Sequence, residues 1–203
     1  GGDAHSYLQG LVSNDLQKLS PKQAIYCAFL TAQGKYLHDF FVTIIGDSLY
    51  LDCEASRIED LCKRLHLYKL RSQVEIKINS TFQILALFGS GALQSLGLPR
   101  RVGAAQKFET GIVYTDPRLE AAGARCIITK DLVRKVIAKG FLETGFETYQ
   151  RHRISLGLPD SSHDMQVEKS TLLESGFEEL NGVDFNKGCY LGQELTARTK
   201  YRG

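Results

Sequence analysis

The chain has no apolar run approaching the roughly 20 residues needed to cross a bilayer. Its longest candidate, DFFVTIIG (39–46), is strand-length and carries Thr43 in its middle. It has no marked excess of charge of either sign. The 25 Lys and Arg against 23 Asp and Glu leave +2, so any basic contact surface has to be local. It has no C-x-x-C pair, and its five cysteines (Cys27, Cys53, Cys62, Cys126, Cys189) are an odd number. That argues against a disulfide framework and a self-contained zinc site, and for free thiols in a reducing compartment. Low-complexity tracts, exact repeats and the charged and apolar regions of a secretory signal are also missing. The opening, GGDAHSYLQG, reads as the middle of a domain.

What is present is the composition of an ordinary globular protein, 203 residues with 43% hydrophobic and 24% charged, enough for one or two domains with a core. DAHSYLQGLVSNDLQKL places Tyr7, Leu8, Leu11, Val12 and Leu16 at near-helical spacing, and Ser13, Asn14 and Asp15 then offer a cap or turn. Three strand-like runs follow, QAIYCAFLT, YLHDFFVTII and SLYLDC, separated by AQGK and GD as hairpin turns. Ile58, Leu61, Leu65 and Tyr68 predict a helix through ASRIEDLCKRLHLYKL. QVEIKI alternates as a strand should, TFQILALFG reads as a more buried strand, and SGALQSLGL as a short helix closed by Gly97 and Pro99. Next come FETGIVYTD, ARCIIT and a helix DLVRKVIAKG with Asp131 as its N-cap. A last helix, ETGFETYQRHRISLG, ends at Gly157 and Pro159, and 160–168 reads as a loop. The succession predicts an α+β fold built by degenerate duplication.

The stretch with most chemistry is NKGCYLGQEL (186–195). A thiolate is the nucleophilic and metal-binding form of cysteine, and Lys187 is the kind of neighbour that favours it beside Cys189. Gly188 and Gly192 remove side chains on either flank, so a ligand or partner can approach the backbone. Gln193 and Glu194 add an amide and a carboxylate able to pair with a ring bearing donors and acceptors. The alternative is a Gly-flanked turn holding a partly buried cysteine.

The octet KGCYLGQE resembles the motif of the YgfZ-type folate-binding proteins. These are relatives of the glycine-cleavage T-protein (an aminomethyltransferase) that act in maturing or repairing iron–sulfur proteins. DAHSYLQGLVSND, AQGKYLHDFFV, YKLRSQV, DPRLEAAGAR, YQRHRISLGLP and TARTKYRG are similar, in order, to further segments of that family and cover most of the chain. The resemblance implies a T-protein-like fold of duplicated antiparallel-sheet and helix subdomains around a central ligand opening. Residues 1–22 with 80–150 form one subdomain, 23–79 a second, and 151–203 lead toward a C-terminal β-barrel. That barrel and the family's first strand are expected to be missing.

It also implies tetrahydrofolate or a derivative as cofactor, with Asn14, Tyr149, Arg153, Glu174, Lys187, Gln193 and Glu194 as candidate binding residues. Tyr149 and Arg153, one helical turn apart, either pack a pterin or aminobenzoyl ring and meet a carboxylate, or fill core and snorkel outward. Glu174 either contacts the pterin edge or faces solvent, and Leu173 stands where the family has proline. Asn14 and Asp15 lie near the pocket or simply cap a helix end. Asp116 and Arg118 beside Pro117 organise a turn. Arg198, Lys200 and Arg202 share a face if their segment is extended, for a polyglutamyl tail, RNA phosphates, an acidic partner or solvent alone.

The expected function is an accessory factor for iron–sulfur proteins. Because a cluster takes about four protein ligands, Cys189 would share one transiently with a scaffold or carrier protein. The alternative is a tetrahydrofolate-dependent aminomethyltransferase acting through Asp39, the acid left where His38 replaces the other member of the T-protein's acidic pair. A conventional enzyme is the less favoured expectation, and an RNA-linked module ranks third. Neither a membrane nor direct nucleic-acid contact is expected. The expected location is the cytoplasm, or the mitochondrial matrix for a eukaryotic source.

Overall fold

The computed structural model describes residues 1–202, the side chain of Arg202 lying outside the described residues. Helix α1 (Ala4–Gln9) leads into a 3-10 turn at Leu16–Lys18, which Asp15 caps by accepting from the Gln17 amide at 2.9 Å. Strands β1 (Ile25–Leu30), β2 (Tyr36–Ile45) and β3 (Ser48–Asp52) form an antiparallel sheet in that order. Its second turn is the two-residue Gly46-Asp47, with Gly46 at φ 60°, the left-handed region that short hairpin turns demand. Helix α2 (Ile58–Lys69) follows a 3-10 turn at Ala55–Arg57.

The second half repeats the plan. Strand β4 (Phe82–Leu87), helix α3 (Ala92–Leu96), strands β5 (Ala105–Phe108), β6 (Gly111–Thr115) and β7 (Ala124–Thr129), and helix α4 (Val133–Ile137) make a four-stranded antiparallel sheet ordered β4-β7-β6-β5 with two helices. Helices α5 (Phe146–Ser155), α6 (Ser161–Asp164) and α7 (Gln193–Arg202) complete the described elements.

Strand alternation sets the layering. Tyr26, Ala28, Leu30 and Phe41 of the first sheet meet Ile112, Tyr114 and Ile127 of the second in a shared core. The opposite face of the first sheet (Ile25, Cys27, Phe29, Phe40, Val42) is covered by Leu8 and Leu11 around α1 and by Leu61 and Leu65 of α2. The opposite face of the second (Val113, Cys126, Ile128) is covered by Leu93 and Leu96 of α3 and Val136 of α4. Leu8, Leu11, Val12, Leu16 and Leu19 pack on the first sheet, while the Lys22 carbonyl accepts from the Ala105 amide at the start of β5 at 3.0 Å.

Four local expectations change. The 160–168 stretch, expected as a loop, carries the short helix α6 (Ser161–Asp164). QVEIKI keeps its alternation from Val74 to Lys77, Val74 being buried and Glu75 and Lys77 exposed, but Ile78 is exposed too and the segment pairs with no strand among the described residues. Asp131 caps no helix; it lies inside a 3-10 turn that runs into α4. The segment carrying Arg198 and Lys200 is helical rather than extended, so residues two apart diverge around the axis instead of sharing a face. Lys200 pairs with Glu178 and lies over the Phe185 ring.

Candidate functional site

A cleft of about 1520 Å³ opens between β3, β4, the 74–79 segment and α5. Its lining includes Asp39, Phe41, Tyr50, Asp52, Phe82, Arg118, Arg125, Tyr149 and Arg153. Alternation along β2 turns Asp39 toward the cleft and His38 to the other face, where its Nε2 lies 2.8 Å from Asp60 on α2. Burial, with Arg57 nearby, lowers the His38 pKa below its ordinary value. The Asp39 carboxylate accepts from Tyr26 Oη at 2.7 Å, from Tyr36 Oη at 2.8 Å and from Ser161 Oγ. Three hydroxyls thus fix its position.

Beside it, Arg125 donates from Nε to Asp52 Oδ2 at 2.7 Å, and Tyr114 Oη donates to the same oxygen at 3.0 Å. Arg118 makes a two-pronged pair with Asp116, Nε to Oδ1 at 3.1 Å and Nη2 to Oδ2 at 2.8 Å. Both guanidinium groups lie over the Phe41 ring, at 4.9 Å for Arg118 and 4.2 Å for Arg125. Two arginines held against one ring form a rigid cationic wall whose charge Asp52 and Asp116 balance. Sequence reasoning assigned Arg118 to a turn and missed Arg125, Asp52 and Ser161. The signal for Arg125 was a lone charge inside the apolar strand ARCIIT, which has to be paired if buried.

Of the residues singled out from sequence, Asp39, Tyr149 and Arg153 line this cleft. Arg153 is nevertheless largely committed: it donates to Gln150, to the Leu158 carbonyl at 3.0 Å and to Asp164 at 2.8 Å, tying α5 to α6. Tyr149 is half-buried, its ring centroid 6.0 Å from that of Phe88. Glu174 is exposed and bonded to Thr171, apart from the cleft. Asn14 is buried, donating to the Tyr26 and Asn181 carbonyls at 2.7 and 2.8 Å and accepting from the Asp15 amide at 2.8 Å. Among the described residues, no position from 165 to 201 lines the cleft.

The cysteine motif forms a second place. Lys187 points inward, its ammonium donating to the carbonyls of Gln9, Val12 and Asn14 at 2.8, 2.6 and 2.9 Å. All three of its hydrogens are spent, so it serves to hold the turn after α1 and has none left for a thiolate. Burial lowers its pKa to about 8. Gly192, at φ 83°, packs against the hairpin turn: a Cβ there would lie 2.5 Å from the Thr31 carbonyl oxygen and 3.0 Å from Gly34 Cα. Gly188, by contrast, has nothing within 4 Å of the same position, and Cys189 beside it is exposed. Gln193 is half-buried and Glu194 exposed at the start of α7. Burial pushes the thiols of Cys53 and Cys126 up to about 12. Among the described residues no group of three His, Cys, Asp or Glu is placed to hold a metal ion.

The structure is similar to the crystal structure of glycine cleavage system aminomethyltransferase T from Bartonella henselae, with a TM-score of 0.75, 17% identity, and 99% of this chain matched to 59% of that one. At that identity the likeness establishes the fold. No family model matches the chain. Among curated proteins it is similar to the mitochondrial iron-sulfur cluster assembly factor IBA57 of Homo sapiens, 33% identical over 218 residues, covering 100% of this chain and 59% of the relative. It is likewise similar to the mitochondrial IBA57 homolog of Neurospora crassa, 31% identical over 213 residues, covering 100% and 48%. The chain thus spans about half the length of the curated relatives it matches.

Proposed function

We propose that this chain is the folate-binding and thiol-presenting part of a mitochondrial iron–sulfur cluster assembly factor of the YgfZ type. The observation that carries the proposal is the placement of Cys189. It is the exposed member of five free cysteines, beside an open glycine and on a segment anchored on both sides. One accessible thiol without companion ligands suits a cluster completed by a second protein, since a cluster takes about four ligands. The cluster is cargo here, and the partners are scaffold or carrier proteins. The relatives' role supports the reading, and their mitochondrial description favours that compartment over the cytoplasm for this chain.

The size and lining of the cleft support tetrahydrofolate as its ligand. Its volume exceeds the roughly 300–1,000 Å³ of ordinary small-molecule pockets, leaving room for pterin, aminobenzoyl and glutamate parts. Phe41, Tyr50, Phe82 and Tyr149 offer ring surfaces, and Asp39 would accept from ring N–H groups. The bound folate would supply a one-carbon acceptor. Asp39, held by three hydroxyls, would orient it.

The test loads a cluster on a carrier protein, mixes it with wild type or Cys189→Ser, and follows the cluster's visible absorption and transfer to an apo-acceptor. Wild type is expected to share the cluster and the variant to lose it. Equal behaviour, or normal iron–sulfur enzyme activity in cells carrying only the variant, overturns the proposal.

A second reading, aminomethyl transfer to tetrahydrofolate, is favoured by the single observation that Asp39 lines the cleft. Methylene transfer from an aminomethylated lipoyl carrier that is abolished by Asp39→Asn would place it first.

A further inference from the structure

Helix α2 buries Leu61 and Leu65 against the first sheet. At 100° per residue, Lys63, His66, Leu67 and the following Leu70 fall on the opposite, outward side. A surface helix keeps that side polar, yet Leu67 is 67% exposed and Leu70 is 88% exposed. Leu70 also has φ 43° and ψ −113°, a combination rarely adopted by a residue with a β-carbon. The backbone bend holds its side chain in solvent, where burial within the chain cannot account for it. Around the two leucines stand Lys63, Lys69 and Arg71, none with an acidic partner within 4.0 Å among the described residues. The acidic groups bordering this face are Glu59, one turn before Lys63, Glu75, whose charge is felt at Lys69, and Asp3, which shares a shallow depression with Leu70 and Arg71 and accepts from the Gln73 amide at 2.7 Å.

We propose that the outward face and C-terminal end of α2 form a peripheral docking site for an anionic phospholipid surface, with Leu67 and Leu70 entering the headgroup boundary. Lys63, Lys69 and Arg71 meet the lipid phosphates. Charge complementarity and shape select this occupant. Protein partners generally anchor aromatic or arginine side chains in fitted pockets across a broad interface. Here two leucines project from a convex helix end ringed by unpaired cations, which a fluid anionic surface accommodates. No helix among the described residues is long and apolar enough to cross a membrane, so contact at this site is at the interface. The sequence, read for spanning segments, did not lead to a membrane partner.

The experiment is flotation of the 203-residue chain with vesicles of phosphatidylcholine alone or mixed with cardiolipin. Binding is expected only with cardiolipin present, weakening as salt rises. The Leu67→Ser/Leu70→Ser variant should keep its thermal midpoint and lose binding by on the order of tenfold or more. Lys63→Gln and Arg71→Gln should each lose about fivefold. Failure to float with anionic vesicles, unchanged binding by the leucine variant, or concentration-dependent self-association abolished by that variant would each overturn the proposal, the last pointing to a second copy of the chain.

Discussion

Replacing Lys187 by methionine keeps much of the side chain's volume and removes the ammonium that bridges Gln9, Val12 and Asn14. Three carbonyls then lose their donor, two of the three bonds being fully buried. An unsatisfied buried acceptor costs about 1–3 kcal/mol. Relief of the ammonium's own desolvation, which holds its pKa near 8, returns part of this. The net loss is expected to be about 2–4 kcal/mol, from partial rehydration of the Gln9 carbonyl at the low end to none at the high end. Denaturant unfolding followed by circular dichroism measures it. The pH dependence supplies a second, sign-sensitive check. Below about pH 8 the lysine is charged whether folded or unfolded. Between about 8 and the unfolded value of 10.5, the unfolded chain holds a proton that the folded chain has released. Stability from this group therefore rises with pH in that window, and the gap between wild type and Lys187→Met should widen. A loss under about 1 kcal/mol, or a gap that narrows from pH 8 to 10, refutes the assignment of Lys187 as the anchor of this turn.

Gly192→Ala should destabilise by about 2 kcal/mol or more through its positive φ and the crowded Thr31 carbonyl, whereas Gly188→Ala should leave the thermal midpoint unmoved. Arg125→Met leaves the buried Asp52 carboxylate unpaired and should cost about 3–5 kcal/mol, of which Asp52→Asn in the same chain recovers a large part in a double-mutant cycle. Because the folded His38 has a lowered pKa, the unfolded chain takes up its proton first on acidification through the ordinary value of 6.5. Stability should thus fall from pH 7 to 5.5, less steeply in His38→Gln, as read from unfolding midpoints.

The elements legible in the sequence are those whose cause is local. Tyr36–Ile45 was delimited as observed, and SLYLDC ran one residue past Ser48–Asp52, because alternation and a Gly-Asp turn are written into adjacent residues. The fold class followed from the order of such elements. QVEIKI shows the limit: its pattern prepares a strand, but a ladder needs a neighbour that the pattern does not specify. Arg198 and Lys200 would share a face only in an extended segment, and their alternation carries no information on backbone geometry; the segment is helical. The cleft was the least legible part. Phe41 between Arg118 and Arg125 joins β2 to residues some eighty positions away, a pairing set by two sheets meeting face to face.

The thiol and the cleft are distinct, yet connected by bonded groups. Tyr26 donates to Asp39 in the cleft at 2.7 Å; its carbonyl accepts from Asn14 at 2.7 Å; the Asn14 carbonyl in turn accepts from Lys187 at 2.9 Å, two residues before Cys189. A chain of contacts transmits binding energy only if some member has two arrangements of similar free energy. None here does: Tyr26 is clamped in the shared core, both polar side-chain atoms of Asn14 are bonded, and Lys187 has no hydrogen left over. Rigidity of this kind fixes the distance between the two sites without coupling their occupancy. Titration of tetrahydrofolate should therefore give the same affinity for wild type and Cys189→Ser, and for wild type with or without a cluster-loaded carrier. A shift of more than about threefold would show that one of these groups moves, because it corresponds to more than about 0.6 kcal/mol of coupling.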